Sequence, residues 1–121
     1  MKKNSKKLPY YLDGFAEVYR PLESNVSTFG AKKNTRKKED MQLLYKLPYA
    51  QTYKRAEDID FAESQGRNLT LKIKVPLVKN IRQSDNVLIN NILYDVIYTD
   101  EDRFNQELYI YLEEMYPIEQ I

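Results

Sequence analysis

NLTLKIKVPLVKNIRQSDNVLINNILYDVIYTDEDRFNQELYIYLEE, residues 68–114, decides the fold. Leu69, Leu71, Ile73 and Val75 alternate with Thr70, Lys72 and Lys74. A period of two sends the apolar side chains to one face of a strand and the polar ones to the other. The polar run Gln83-Ser84-Asp85-Asn86 predicts a turn, and Val87-Leu88-Ile89 predicts the strand after it. Asn90-Asn91 then stands between two apolar runs; asparagine tolerates positive φ, so the pair predicts a tight hairpin. Ile92, Tyr94, Val96 and Tyr98 form the apolar face of the next strand, and Asp100-Glu101-Asp102-Arg103 predicts a loop. The last strand places Leu108, Ile110 and Leu112 inward and Glu107, Tyr109, Tyr111 and Glu113 outward. Together these predict a four-stranded antiparallel meander with one buried face. Such a sheet needs a cover, or must curl and close on itself.

The rest of the chain must provide that closure. Residues 53–65 predict the only helix, with Ala56, Ile59, Ala62 and Phe61 as a thin apolar stripe and Gly66 at the place of a C-terminal cap. Met41 to Leu47 predicts a strand with Leu43, Tyr45 and Leu47 inward, ended by Pro48. Gly14 to Arg20 predicts the first strand, with Phe15 and Tyr19 on one side, Ala16 and Val18 on the other, and Pro21 as its stop. The expected fold is mainly β: a small antiparallel barrel of about six strands with one short helix and a long flexible loop. One domain spans residues 10–114 and contains the loop at residues 22–40. A basic tail covers residues 1–9, and a rather apolar C-terminal tail covers residues 115–121. Polarity without period leaves residues 1–9 and 24–39 too little apolar burial to offset ordering, so both are expected to be mobile until assembly.

The composition removes several kinds of chemistry. In 121 residues there is no histidine and no cysteine, so the common general base and the thiolate metal sites are missing. The three glycines make no phosphate-cradling loop. The acidic run at residues 100–102 is the best candidate for a metal, but it lacks the glycine and the downstream glutamate of a calcium loop. No metal, no cofactor and no catalysis are expected. No apolar run approaches the roughly 20 residues of a membrane span, so no membrane partner is expected. No apolar stretch follows the basic start, so no signal peptide is read there, and Asn25-Val26-Ser27 and Asn68-Leu69-Thr70 are read as chance matches to the glycosylation pattern.

Charge is unevenly placed. Residues 1–40 hold ten Lys/Arg against five Asp/Glu, and residues 41–121 hold nine against thirteen. The subunit should therefore have two electrically different ends, suited to head-to-tail contact or to an anion at one end. Lys32, Lys33, Arg36, Lys37 and Lys38 crowd the long loop as a candidate phosphate-facing arm. Tyr109 and Tyr111, on the outward face, and Tyr116 and Ile118, in the tail, are the candidate subunit interface.

The order of elements resembles the head-closure, or head–tail joining, proteins of long-tailed bacteriophages. The resemblance covers roughly residues 14–114. It rests on FAEVYRP, the long loop, the helix near EDIDFAES, and the closing rhythm in which Asp85 precedes a short strand and Asn91, Tyr94, Asp95 and Val96 open the next. This chain has a longer, more basic loop and a lysine-rich start. The resemblance implies a virion protein, assembled in the bacterial cytoplasm, that forms a ring of identical copies in the connector. A portal or adaptor protein would lie on the head side and a tail or tail-completion protein on the other. The loop would help retain packaged double-stranded DNA without reading sequence. The alternative is a free nucleic-acid-binding barrel of OB type, stacking bases on surface tyrosines.

Overall fold

The computed structural model describes residues 11–22 and 41–117. The six strands are β1 (Gly14–Pro21), β2 (Met41–Thr52), β3 (Leu71–Pro76), β4 (Asn86–Ile89), β5 (Ile92–Asp102) and β6 (Glu107–Pro117), with helix α1 (Ala56–Ser64) between β2 and β3. Every neighbouring pair is antiparallel, and the order β1-β2-β3-β6-β5-β4 closes into a barrel. The meander holds for β4, β5 and β6, but β3 does not pair with β4. It pairs with β6, Ile73 opposite Ile110, and this crossover leaves β4 free to meet β1 and close the wall.

The alternation read from the sequence builds the core. Ile73, Val75, Val87, Val96, Ile110 and Leu112 are fully buried inside, joined by Ala16 and Val18 from β1. Burying a branched aliphatic side chain is worth about 1.5–3 kcal/mol. Ile73→Ala, at 0% exposure, is expected to cost about 2–5 kcal/mol in denaturant unfolding, through lost contacts and the cavity left behind. The hairpin at Asn90-Asn91 forms as expected, with φ of 52° and 67°. Gly66 follows α1 at φ 71°, and the Arg67 N–H donates to the Ala62 carbonyl at 2.9 Å, closing the helix end.

Several expectations change. β2 runs through Pro48 to Thr52; its β3 ladder covers only Ala50 to Thr52, so proline's missing N–H interrupts no β3 pairing. Leu43 is half exposed rather than inward. Leu69 lies before β3 and packs outside the wall beside α1. The acidic run is not a loop: Asp100, Glu101 and Asp102 are the end of β5, paired with Tyr109, Leu108 and Glu107. The register shifts between Val96 and Tyr98, so the strand carries one extra residue. Beyond that bulge the period reverses. Ile97 is buried under α1, and Tyr98 is exposed instead of inward.

Candidate functional site

Direction alternates around an antiparallel barrel. The β1–β2, β3–β4 and β5–β6 connections therefore leave from one end, and the β2–β3 and β4–β5 connections from the other. Pro21 stands opposite Met41, so the two stems of the long basic connection sit side by side at the first end. The five loop cations, Lys32, Lys33, Arg36, Lys37 and Lys38, lie outside the described residues, as do the expectations of mobility at residues 1–9 and 24–39.

The β3–β4 connection crosses this end and plugs it. Leu77, Val78 and Ile81 pack against the core. The segment is fastened to the wall at several points. The Leu77 N–H donates to the Gln106 carbonyl at 3.0 Å, and the Tyr45 hydroxyl to the Lys79 carbonyl at 2.8 Å. Arg20 donates to the Asn80 carbonyl at 2.7 Å and to both oxygens of Asp85, at 2.8 and 2.9 Å. Asp85 is fully buried and also accepts the Arg82 N–H at 2.8 Å. Lys79 and Arg82 are exposed on this plug. The acidic end of β5 and the turn after it lie at the same end of the barrel. The acidic hairpin and the two described stems of the 22–40 connection thus share one end, while every cation of residues 1–40 except Arg20 lies outside the described residues.

The second arrangement lies on the outer face, where α1 covers β3, β5 and β6. Ala62, Leu69, Ile97 and Tyr111 form a buried cluster there, with Ile59 and Tyr109 at its border. Of the candidate interface tyrosines, Tyr111 is buried at 4% exposure under α1 and Tyr109 is half-buried. Tyr116 pairs through its backbone with Leu93; its side chain and all of Ile118 lie outside the described residues. Glu107, expected outside, is buried and accepts a hydrogen bond from the Tyr11 hydroxyl at 3.0 Å.

Asp58, on the first turn of α1, is the centre of this face. At 3% exposure it accepts from Arg55 at 2.8 Å, from the Lys72 ammonium at 2.9 Å and from the Tyr111 hydroxyl at 3.2 Å. The Lys72 ammonium also sits 5.2 Å above the Tyr109 ring and 5.1 Å from that of Tyr111. Burial works to raise the Asp58 carboxyl, but the hydrogen bonds from Arg55 and Lys72 outweigh it and hold the group well below the usual carboxylate range. Burial first, then the Asp58 charge, pushes the Tyr111 phenol up to about 12. These shifts move both groups away from neutrality, where neither exchanges a proton, so the network's work is to lock α1 to the wall. A polar cleft of about 410 Å³ opens beside it, lined by Thr52, Tyr53, Arg55, Lys72, Asp100, Tyr109 and Tyr111.

Among the described residues no three acidic, histidine or cysteine side chains are grouped to hold a metal ion, and no helix is long and apolar enough to cross a membrane. The sequence reading missed Asp58 and Lys72 because each falls on the polar side of its own element. The available signal was Arg55 with Asp58 three residues on, an acid in the first turn that also caps the helix. Neither a scan of known protein families nor a search of curated proteins finds a match to this chain.

Proposed function

We propose that this chain is a structural virion protein of a long-tailed phage, forming a ring in the connector between portal and tail that closes the head and helps retain DNA. The supporting observation is the closed six-stranded antiparallel barrel with its helix between β2 and β3 and its long basic β1–β2 connection held at one end by Pro21 and Met41. That is the arrangement the resemblance to head-closure proteins calls for. In a ring, each subunit would bring five loop cations toward one axis, and many weak phosphate contacts would add without base recognition. The neighbours would be a portal or adaptor protein above and a tail protein below.

The rival reading, a free OB-type module, needs aromatic platforms. Tyr19, Tyr49, Tyr94 and Tyr111 are buried; of the exposed rings, Phe15 lies on β1, Tyr53 and Phe104 lie in two separate connections, and Phe61 and Tyr98 form a single pair 5.1 Å apart. That arrangement offers no row of stacking surfaces.

Neutralising Lys32, Lys33, Arg36, Lys37 and Lys38 together tests the proposal. The barrel should stay folded, since all six strands and the core cluster are built from other residues. Binding of the isolated subunit to duplex DNA, expected at about 10⁻⁴–10⁻⁶ M, should weaken, and heads completed with the variant should leak genome more as salt rises. Particles that hold DNA normally but fail to join tails would overturn the DNA assignment. Absence of the protein from purified virions by electron microscopy would overturn the connector reading itself.

A further inference from the structure

We propose that the open edge of β5, from Tyr98 to Asp102, pairs with the open edge of β2, from Met41 to Leu47, in a second copy of this chain, joining subunits head to tail. Two ladders of the barrel stop short. β4 pairs with β5 only from Ile92 to Asp95, whereas β6 follows β5 to Asp102. β3 pairs with β2 only from Ala50 to Thr52, whereas β1 follows β2 down to Met41. The Gln83 amide reaches the Ile97 carbonyl where the β5 stretch begins, and the Tyr45 hydroxyl reaches the Lys79 carbonyl beside the β2 stretch, each at 2.8 Å. Among the described residues no strand lies along the open side of either stretch. Edges of this kind are templates for another strand.

The strand order sets the two edges on opposite sides of the molecule. β2 and β5 are three places apart whichever way the wall is followed, and three antiparallel steps make them run in opposite directions. The open side of β2 faces the β3 position and that of β5 faces the β4 position. These point the same way around the wall, and so, across the barrel, in opposite directions. Both stretches lie toward the rim that bears the stems of the 22–40 connection, since β2 begins there and β5 ends there. A copy rotated about an axis alongside the barrel therefore presents its β2 to β5 antiparallel and at the same rim. A contact between two different surfaces repeats from copy to copy, and where the rotation closes it makes a ring.

Chemistry selects this pairing over two like edges. Asp100, Glu101 and Asp102 are consecutive on β5, so two copies of that edge repel. β2 reads MQLLYKL over residues 41–47, with one lysine and no acid. Each edge also leaves an apolar side chain in solvent, Leu43 at 49% and Tyr98 at 38% exposure, which the pairing would cover. A standard interface buries about 1,200–2,000 Å², more than one short strand pair covers, so the contact is weak between two subunits and gains from ring closure. It supplies the subunit contact of the ring proposed above, but it rests on the two edges and not on that reading.

The chain has no cysteine, so introduced thiols report cleanly. Full-length Glu101→Cys and Leu43→Cys chains, mixed at high protein concentration with a short bismaleimide, should link to each other several-fold faster than either links to itself. A Ser64→Cys chain in place of Leu43→Cys should show no such preference. Adding Gln42→Asp to the Leu43→Cys chain places acid against acid and should remove the advantage. One chain carrying both Glu101→Cys and Leu43→Cys should give a ladder of multimers, whereas like-edge pairing would stop at dimers. Linkage no faster than the Ser64→Cys control would overturn the contact, and so would preferential linkage of either chain to itself. The ladder reads assembly without virions. A ladder in solution together with virions that lack the protein would keep this contact and overturn the connector reading.

Discussion

Replacing Asp58 with alanine is expected to cost about 3–5 kcal/mol, the loss found when one partner of a buried ion pair is removed. The Lys72 ammonium, 8% exposed, would lose the carboxylate 2.9 Å away. Arg55 and the Tyr111 hydroxyl would lose the same acceptor. A double variant, Asp58→Leu with Lys72→Met, should recover part of the loss, because an apolar pair leaves no charge stranded. The network also predicts a pH dependence. The Asp58 carboxyl has a lower pKa folded than unfolded, so its stabilisation is present above the unfolded value near 4 and is lost as pH falls through the folded one. Denaturant unfolding from pH 7 to pH 3 should show wild-type stability falling below about pH 4. The fall should be shallower in Asp58→Asn, and equal slopes would remove Asp58 from this role.

Asp85→Ala is expected to cost about 3 kcal/mol, since a fully buried carboxylate that receives three hydrogen bonds is deleted. Arg20 and the Arg82 N–H would be left without their acceptor. The loss should be concentrated where the plug is fastened: amide exchange across residues 77–85 should rise well before that of β3 or β6. Asp85→Asn keeps the shape and part of the bonding and should fall between. Uniform loss of protection over the whole barrel would mean that Asp85 supports the wall and not the plug.

The barrel was legible where the period of two was unbroken. Leu71 to Val75 and Leu108 to Leu112 could be read as strands with a defined inward face, and Asn90-Asn91 as their kind of turn. It failed at irregularities that a period cannot announce. The extra residue between Val96 and Tyr98 turns Ile97 and Tyr98 about, and the covered outer face makes Tyr111 and Lys72 buried residues despite their outward register. Acidic residues looked like a loop because strands seldom carry three in a row. Here Asp100 to Asp102 lie on a strand with a solvent-facing edge, where charge is tolerated. The two ion-pair centres were illegible for another reason. Arg20 and Asp85 are 65 residues apart and meet where β4 closes the wall onto β1, and Asp58 and Lys72 are 14 apart and meet where α1 folds back on β3.

An even number of alternating strands has a consequence for how such a chain can change. The first, third and fifth connections share one rim of the barrel, and the second and fourth share the opposite rim. Residues can be gained or lost in one set without disturbing the register of the staves or the outline of the other rim. The nineteen-residue span at 22–40 and the short turn after Asp102 can thus vary in length independently of α1. One rim is free to be fitted to a new neighbour while the helix-bearing flank and the opposite rim keep their shape.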